Sequence, residues 1–168
     1  MSKSEIMTIL LCSHFGSFRN LKHYYLFFIE EHLASYFLYA VSYTRFVELM
    51  PCVFFDLMSF MRIQGFGKCM GISFVDSTMI PVCHNMRRKF NKVFDGLTKN
   101  GKGTMGWCPG LKMHLLCNEM SDVLTFYLTP ANVDDRNPRV WKVFTKVLYG
   151  KVFADKGYIK QEFFENLF

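Results

Sequence analysis

The sequence predicts a mixed α/β protein, with a helical N-terminal region ahead of a region that contains a mixed sheet. No glycine lies between Gly16 and Gly65, and the apolar runs in that stretch are compatible with helices. Farther along, the apolar runs become short and rich in branched residues, which is typical of strands. The glycine-rich run 64–71 separates the two patterns. We therefore expect a helical region at residues 1–65 and a second domain at residues 66–168.

Helix signals occur throughout the first region. Ser2 and Glu5 have the spacing of a capping box ahead of an apolar run. Pro51 is placed to open a helix, because proline is tolerated in the first helical turn. These Phe- and Met-rich helices are expected to supply core or dimer surface. The first helix is expected to begin at the Ser2 cap and the second to span residues 21–37. The third is expected over residues 46–50 with Ser42 or Thr44 as its cap, and the fourth from Pro51 to Ile63.

Short apolar runs in the second region predict strands separated by turns. The tetrad Glu-Met-Ser-Asp at 119–122 is turn-like and joins two such runs, which predicts an antiparallel hairpin. Apolar residues at helical spacing then predict a helix after the hairpin. This order of elements indicates a mixed sheet. The expected strands are 72–82, 111–118, 123–128 and 151–154, and the expected helices are 139–148 and 160–168.

Composition and charge restrict the class of protein. Apolar residues make up 51% of the 168-residue chain and charged residues 20%, so a core can be buried and intrinsic disorder is not expected. The formal net charge is +6, which favours an acidic partner such as nucleic acid. Residues 1–75 contain six Lys/Arg and five Asp/Glu, whereas residues 76–168 contain 14 and nine. The basic excess therefore belongs to the second region.

Cysteine usage and hydropathy indicate a reduced, cytoplasmic protein. The six cysteines are scattered with no C-x-x-C pair, and the N-terminal segment lacks the features of a secretory signal. The most apolar long window, residues 24–43, is interrupted by Glu30, Glu31 and His32, which would be costly inside a bilayer. We therefore expect no membrane span.

Two aspartates occur where apolar strands are predicted. Asp76 lies within Ile-Ser-Phe-Val-Asp-Ser-Thr, and Asp155 follows Lys-Val-Phe-Ala. Burying a carboxylate is costly unless it is paired or binds a cation. If the two strands are neighbours, the carboxylates converge into a pair that suits Mg²⁺, which prefers oxygen ligands. A turn or helix cap is the alternative for each aspartate, and spacing alone favours that alternative.

A basic stretch lies between the first two predicted strands. Its cations would give salt-sensitive contacts to the DNA backbone, although a solvated surface is the usual role of such a run. Glycines at 96, 101, 103 and 106 predict a flexible connector, in which Trp107 either stacks on a base or, as we expect, packs over the sheet. The candidate DNA-binding residues are Arg87, Arg88, Lys89, Lys92, Lys99, Lys102 and Lys112.

Two further polar positions have structural interpretations. Asp134 and Asp135 precede Pro138, which predicts an aspartate cap on the following helix. The alternative is a role beside the active-site residues or facing DNA. His114 alternates with apolar residues on a predicted strand, which favours a hydrogen-bonded structural histidine.

Several ordered motifs carry a resemblance that spans nearly the whole chain. The second region resembles the DDE transposases of bacterial insertion sequences, and residues 42–51 (SYTRFVELMP) are similar to the helical region ahead of that domain. The resemblance implies a ribonuclease-H-like catalytic domain, incomplete at its C-terminal end. The motifs are RIQGFGKCMGISFVDST, PVCHNMRRKFNKVFDGL, GKGTMGWCPGLKMHLL, LTPANVDDRNPRV and GKVFADKGYIKQEFFENLF.

The resemblance implies roles for particular residues. Asp76 and Asp155 match the first and second catalytic aspartates of the family, which hold two divalent metal ions, normally Mg²⁺. His84, Asn85 and Lys156 match positions near the active site.

The third acidic residue of the family has no match. It is a glutamate on a helix well beyond the second aspartate, and Glu162 and Glu165 lie too close to Asp155 to replace it. The two-metal site is therefore expected to be incomplete.

The resemblance implies metal-dependent DNA cleavage and strand transfer, with element ends and target DNA as partners. We expect a truncated and inactive copy, which could form a homodimer. The alternatives are a non-catalytic DNA-binding relic and a metal-dependent nuclease of the same fold.

Overall fold

The computed structural model describes residues 1–16, 18–90, 92–103 and 106–158. The chain divides into two compact units, Met1–Gln64 and Gly65–Phe168, which we describe separately. The predicted division into two domains remains a prediction, since compactness alone does not show that each unit folds independently.

The first unit is helical, and its local signals agree with its helix starts. Helix α1 begins with the predicted capping box, in which the Ser2 N–H donates to Glu5 (2.5 Å) and the Glu5 N–H donates to the Ser2 hydroxyl (3.3 Å). Ser42 caps α3. The helices are α1 (Lys3–Cys12), α2 (Leu21–His23, continued by the π-helical turn Tyr24–His32), α3 (Tyr43–Leu49), the 3₁₀ turn Met50–Val53, and α4 (Phe54–Phe60, continued by the π-helical turn Met61–Gly65).

The second predicted helix is shorter than expected. It ends at His32 instead of extending to residue 37, because Leu33 leaves the helical conformation. The Leu33 N–H donates to the Phe28 carbonyl five residues earlier, as in a π-helix. Tyr24 and Tyr25 are both buried in this wider turn. The core of the unit contains Ile6, Ile9, Tyr24, Tyr25, Ile29, Phe46 and Val53.

The second unit contains a five-stranded mixed sheet. Strand β3 pairs antiparallel with β1 along one edge, and with β2 and β4 along the other. Strand β5 pairs parallel with the free side of β1. The predicted mixed α/β class is confirmed, and the sheet is consistent with a partial ribonuclease-H-like domain. The strands are β1 (Ile72–Pro81), β2 (Lys99–Gly103), β3 (Gly106–Asn118), β4 (Val123–Pro130) and β5 (Lys151–Ala154).

Strand β2 was not expected, because its glycines suggested a flexible connector. The strand passes close to the loop after β4, where a Cβ added to Gly101 would lie 2.3 Å from the Ala131 carbonyl oxygen. Glycine therefore allows a close approach of two backbones, which is a known reason for glycine inside a strand.

One face of the sheet is covered by α5 (Pro138–Phe144). The buried core here contains Val75 and Leu116 from the sheet, together with Val140 and Phe144 from the helix. The helix is capped by Asn137 and not by an aspartate, so the predicted cap at Asp134 or Asp135 is wrong. The predicted helix 160–168 lies outside the described residues.

The opposite face of β1 and β5 is more open. Phe74 and Phe153 lie on this face with about half of each side chain exposed, and their rings stack at a centroid distance of 5.5 Å. Among the described residues, no helix is both long and apolar enough to cross a membrane.

Candidate active site

The register between β1 and β5 brings Asp76 and Asp155 side by side. The last pair in the parallel ladder joins Val75 to Ala154, and the two aspartates are the next residue on each chain. Neighbouring strands lie about 4.8 Å apart. The two carboxylates therefore lie at the same point of the sheet, where β5 ends beside β1. We call this edge of the sheet, with Asp76 and Asp155, the active edge.

Both aspartates are exposed to solvent. Asp76 alternates with the buried Val75, and its Oδ1 accepts a hydrogen bond of 2.7 Å from the Ser77 N–H. The Asp155 carbonyl accepts from the Tyr158 N–H at 2.9 Å, which closes a 3₁₀ turn over Lys156–Tyr158. Exposure spares these two like charges the cost of full burial.

The donor set fits part of a magnesium site. Mg²⁺ is usually held by one or two carboxylates, with water and phosphate oxygens as its other ligands. Within the described ranges, no group of three or more His, Cys, Asp or Glu residues converges. Glu162 and Glu165 lie outside those ranges. The described part of the active edge thus offers two carboxylates.

A buried polar network lies next to the active edge. His114 on β3 is fully buried, with Nδ1 3.0 Å from the Tyr158 hydroxyl and Nε2 3.0 Å from the Thr129 hydroxyl. The prediction of a hydrogen-bonded structural histidine is confirmed. Burial lowers the pKa of His114, so its ring is neutral near pH 7.

Charged groups surround this histidine. Asp135 Oδ1 lies 3.6 Å from His114 Nδ1 and 3.1 Å from Lys112 Nζ. Burial raises the pKa of Tyr158, and the charges of Asp135 and Asp76 act in the same direction, whereas a hydrogen bond to Ser77 opposes them. Tyr158 therefore keeps its proton. Its hydroxyl joins the turn after Asp155 to β3.

Sequence reasoning did not single out Tyr158. It assigned Asp155-Lys156-Gly157-Tyr158 a role only through its aspartate and lysine, although a tyrosine four residues after the end of β5 can fold back over the sheet. Lys156 directly follows Asp155 at the start of the turn.

The other two predicted neighbours lie elsewhere. His84 and Asn85 come after the end of β1 at Pro81, which is roughly 16 Å along the strand from Asp76 at about 3.3 Å per residue. Asn85 Nδ2 donates to the carbonyl of Trp107, near the start of β3. The described contacts therefore join these residues to the β2–β3 hairpin and not to Asp76.

The predicted DNA-binding residues fall into two environments. Lys112 differs from the other six because only 15% of its side chain is exposed, and its Nζ donates to Asp135 and to the Val133 carbonyl. This placement favours a structural role for Lys112. The exposed residues are Arg87, Arg88 and Lys89 on the 3₁₀ turn Asn85–Phe90, Lys92 beyond it, and Lys99 and Lys102 on β2.

Trp107 is 62% exposed. The expectation that it packs over the sheet is therefore wrong.

Comparison with known protein families gives a match over the second unit. A family described as the transposase DDE domain matches residues 66–168. Searches among curated proteins and among solved structures gave no match.

Proposed function

The chain belongs to the transposase DDE-domain family, and on that premise we propose that it acts on DNA as the transposase of an insertion sequence. The proposed reaction is metal-dependent cleavage of a phosphodiester followed by strand transfer. Asp76 and Asp155 are the proposed metal ligands, and Mg²⁺ is the proposed metal.

The pairing of Val75 with Ala154 is the observation that carries this proposal. It makes neighbours of two aspartates that are 79 positions apart in the sequence. Two carboxylates at one point of a sheet repel each other, and a divalent cation between them relieves that repulsion. Their exposure also leaves room for the oxygens of a DNA phosphate.

Divalent metal ions held there would activate the attacking water or 3′-hydroxyl and stabilise the leaving oxygen. The protein's own residues position these groups. The Tyr158–His114 hydrogen bond fixes the turn that follows Asp155, and the Ser77 N–H orients the Asp76 carboxylate. Positioning of this kind matters because a displacement of 1 Å costs catalytic rate.

DNA binding is proposed for the six exposed residues of the predicted DNA-binding set. Arg87, Arg88 and Lys89 are consecutive and exposed, and no ion pair of theirs occurs within the described ranges. Such residues attract phosphates without reading bases.

A homodimer is a further part of the proposal, and sedimentation velocity of the full chain checks it.

The test is cleavage of a supercoiled plasmid that carries the gene with its flanking DNA. The missing third carboxylate predicts an inactive copy, whereas an active transposase would nick the plasmid in Mg²⁺. If the chain nicks the plasmid, Asp76→Asn and Asp155→Asn should each lower the nicking rate at least about 100-fold, because each removes a metal-ligand charge. Glu119→Gln is the matched control. Glu119 is an exposed carboxylate in the turn after β3. The residue before it, Asn118, pairs with Ser73, three positions before Asp76 on β1.

The outcomes separate the candidate functions. Nicking that persists in both aspartate variants contradicts the proposal. Salt-sensitive DNA binding without nicking in any divalent metal indicates a non-catalytic DNA-binding protein, and nicking without joined products indicates a nuclease. Binding of Mn²⁺, followed by electron paramagnetic resonance in the same variants, tests the metal site without relying on activity.

A further inference from the structure

A cleft of about 580 Å³ opens between the β2–β3 hairpin, the loop 131–136 and the turn after Asp155. Its volume lies within the roughly 300–1,000 Å³ that is usual for sites of small ligands. Its lining includes Asn100 and Lys102 from β2, Trp107 and Lys112 from β3, and Arg136 and Gly157. We call it the Trp107 cleft.

We propose that the Trp107 cleft binds one unpaired nucleotide of a DNA strand, with its base stacked on the indole of Trp107 and its phosphate near Lys102. The inference rests on the proposed function, because the nucleotide belongs to the DNA strand on which the chain is proposed to act. The cleft gives that strand a binding site separate from the two aspartates.

The exposure of Trp107 is the first argument. The other tryptophan, Trp141, is 7% exposed and packs in the core, whereas Trp107 is 62% exposed and lines the cleft. Bases stack on exposed aromatic side chains with little dependence on sequence, because every base has a π face.

The backbone of Trp107 is held in place. It pairs with Lys102 across the β2–β3 hairpin, and its carbonyl accepts a hydrogen bond from Asn85. An indole on a fixed backbone loses little conformational entropy on stacking, which favours binding.

The charges of the cleft suit a single phosphate. Arg136 is paired with Asp134 at 2.9 Å, and Lys112 is paired with Asp135 at 3.1 Å, so these four charges largely cancel. Lys102 is exposed and adds one positive charge. A duplex groove needs many cations, whereas one nucleotide needs one cation and one stacking surface.

The cleft adjoins the active edge through Gly157, two residues after Asp155. Trp107 lies eight residues along β3 from Leu115, the partner of Asp76, which is roughly 26 Å at about 3.3 Å per residue. A strand whose phosphate reaches the aspartates therefore extends over several nucleotides before a base meets Trp107. Gly157 has no side chain to fill this end of the cleft, and Lys112 and Asp135 form its wall.

The test uses a single-stranded DNA oligonucleotide that contains one 2-aminopurine, titrated with the full chain in the absence of divalent metal. We expect quenching of the 2-aminopurine fluorescence on binding, and about a tenfold rise in Kd for Trp107→Ala. Trp107→Phe should stay within about threefold of the wild type, since it keeps a stacking ring. Tyr36→Ala is the matched control, because Tyr36 is an aromatic residue of the helical unit with 78% exposure.

Binding without quenching contradicts the inference, as does a Trp107→Ala variant that binds like the wild type, whatever the plasmid assay gives. Circular dichroism of each variant excludes misfolding as the cause of lost binding. A different result is quenching that depends on Trp107 together with plasmid cleavage that does not depend on Asp76. That result would support nucleotide binding in the Trp107 cleft and contradict the proposed function. The two proposals thus fail separately.

Discussion

At the scale of single residues, His114 shows how a buried polar group is satisfied. Both ring nitrogens lie within 3.0 Å of a hydroxyl, and the neutral ring avoids the cost of burying a charge. The arrangement joins β3, β4 and the turn after Asp155 through one side chain. Its low pKa has a consequence for stability.

The free energy of unfolding should fall as the pH drops below the ordinary histidine pKa of 6.5. In the folded state burial lowers the pKa of His114 below its value in the unfolded chain. At a pH between these two pKa values the unfolded chain binds more protons than the folded chain, which favours unfolding. Tyr158, Thr129, Asp135 and Lys112 face the ring.

Thermal melting at pH 7.5 and pH 5.5 checks this for His114→Gln, which does not titrate. We expect a smaller loss of Tm between the two pH values than in the wild type. His84→Gln changes an exposed histidine and serves as the control. An equal loss in His114→Gln and wild type would contradict the assignment.

At the scale of elements, β2 depends on glycine. The strand lies against the Ala131 carbonyl, and any side chain at Gly101 must displace backbone. Two residues later, a Cβ at Gly103 would meet the flexible side chain of Met79, whose sulfur would lie 3.1 Å away. The two glycines of one strand therefore have different tolerance to substitution.

Gly101→Ala should destabilise the second unit by about 1–3 kcal/mol, as expected for an overpacked site. Gly103→Ala should cost less, since a methionine side chain can move. Urea unfolding of the full chain, followed by tryptophan fluorescence, measures the difference. Equal stability of the two variants would show that β2 does not need the close approach to Ala131.

At the scale of the whole molecule, charge is distributed unevenly along the chain. The basic excess belongs to residues 76–168, and three of its exposed cations are consecutive at Arg87, Arg88 and Lys89. A cluster of this kind supplies affinity for DNA that falls with salt, because each phosphate contact releases counterions.

Replacing Arg87, Arg88 and Lys89 with alanine should weaken binding to any DNA sequence and reduce the slope of log Kd against log salt by up to about 3. The matched control replaces three exposed lysines of the same unit, Lys142, Lys146 and Lys151. Fluorescence anisotropy at several salt concentrations measures both. A slope reduced equally by the two triple variants would show that net charge, and not this cluster, decides DNA affinity.

Local signals were sufficient for many of the elements. The capping box at Ser2 and Glu5, the Ser42 cap and the turn between β3 and β4 all involve residues within a few positions of each other, so the sequence contains the whole interaction. The two aspartates were also singled out from the sequence, because a carboxylate in an apolar run needs a reason. Their role as metal ligands stays a prediction. The resemblance to DDE transposases identified the family that the comparison then matched.

The sequence by itself determined the mixed α/β class and most helix starts, and it singled out the two candidate aspartates, since these depend on short-range patterns. Only the tertiary structure decided that β5 lies beside β1, that Tyr158 reaches His114, and that Trp107 stands exposed at a cleft. The first two join residues more than 40 positions apart in the sequence. The exposure of Trp107 depends on which residues pack beside it. Strand order and burial are properties of the assembled sheet, because the same apolar pattern is compatible with several pairings until the backbones meet.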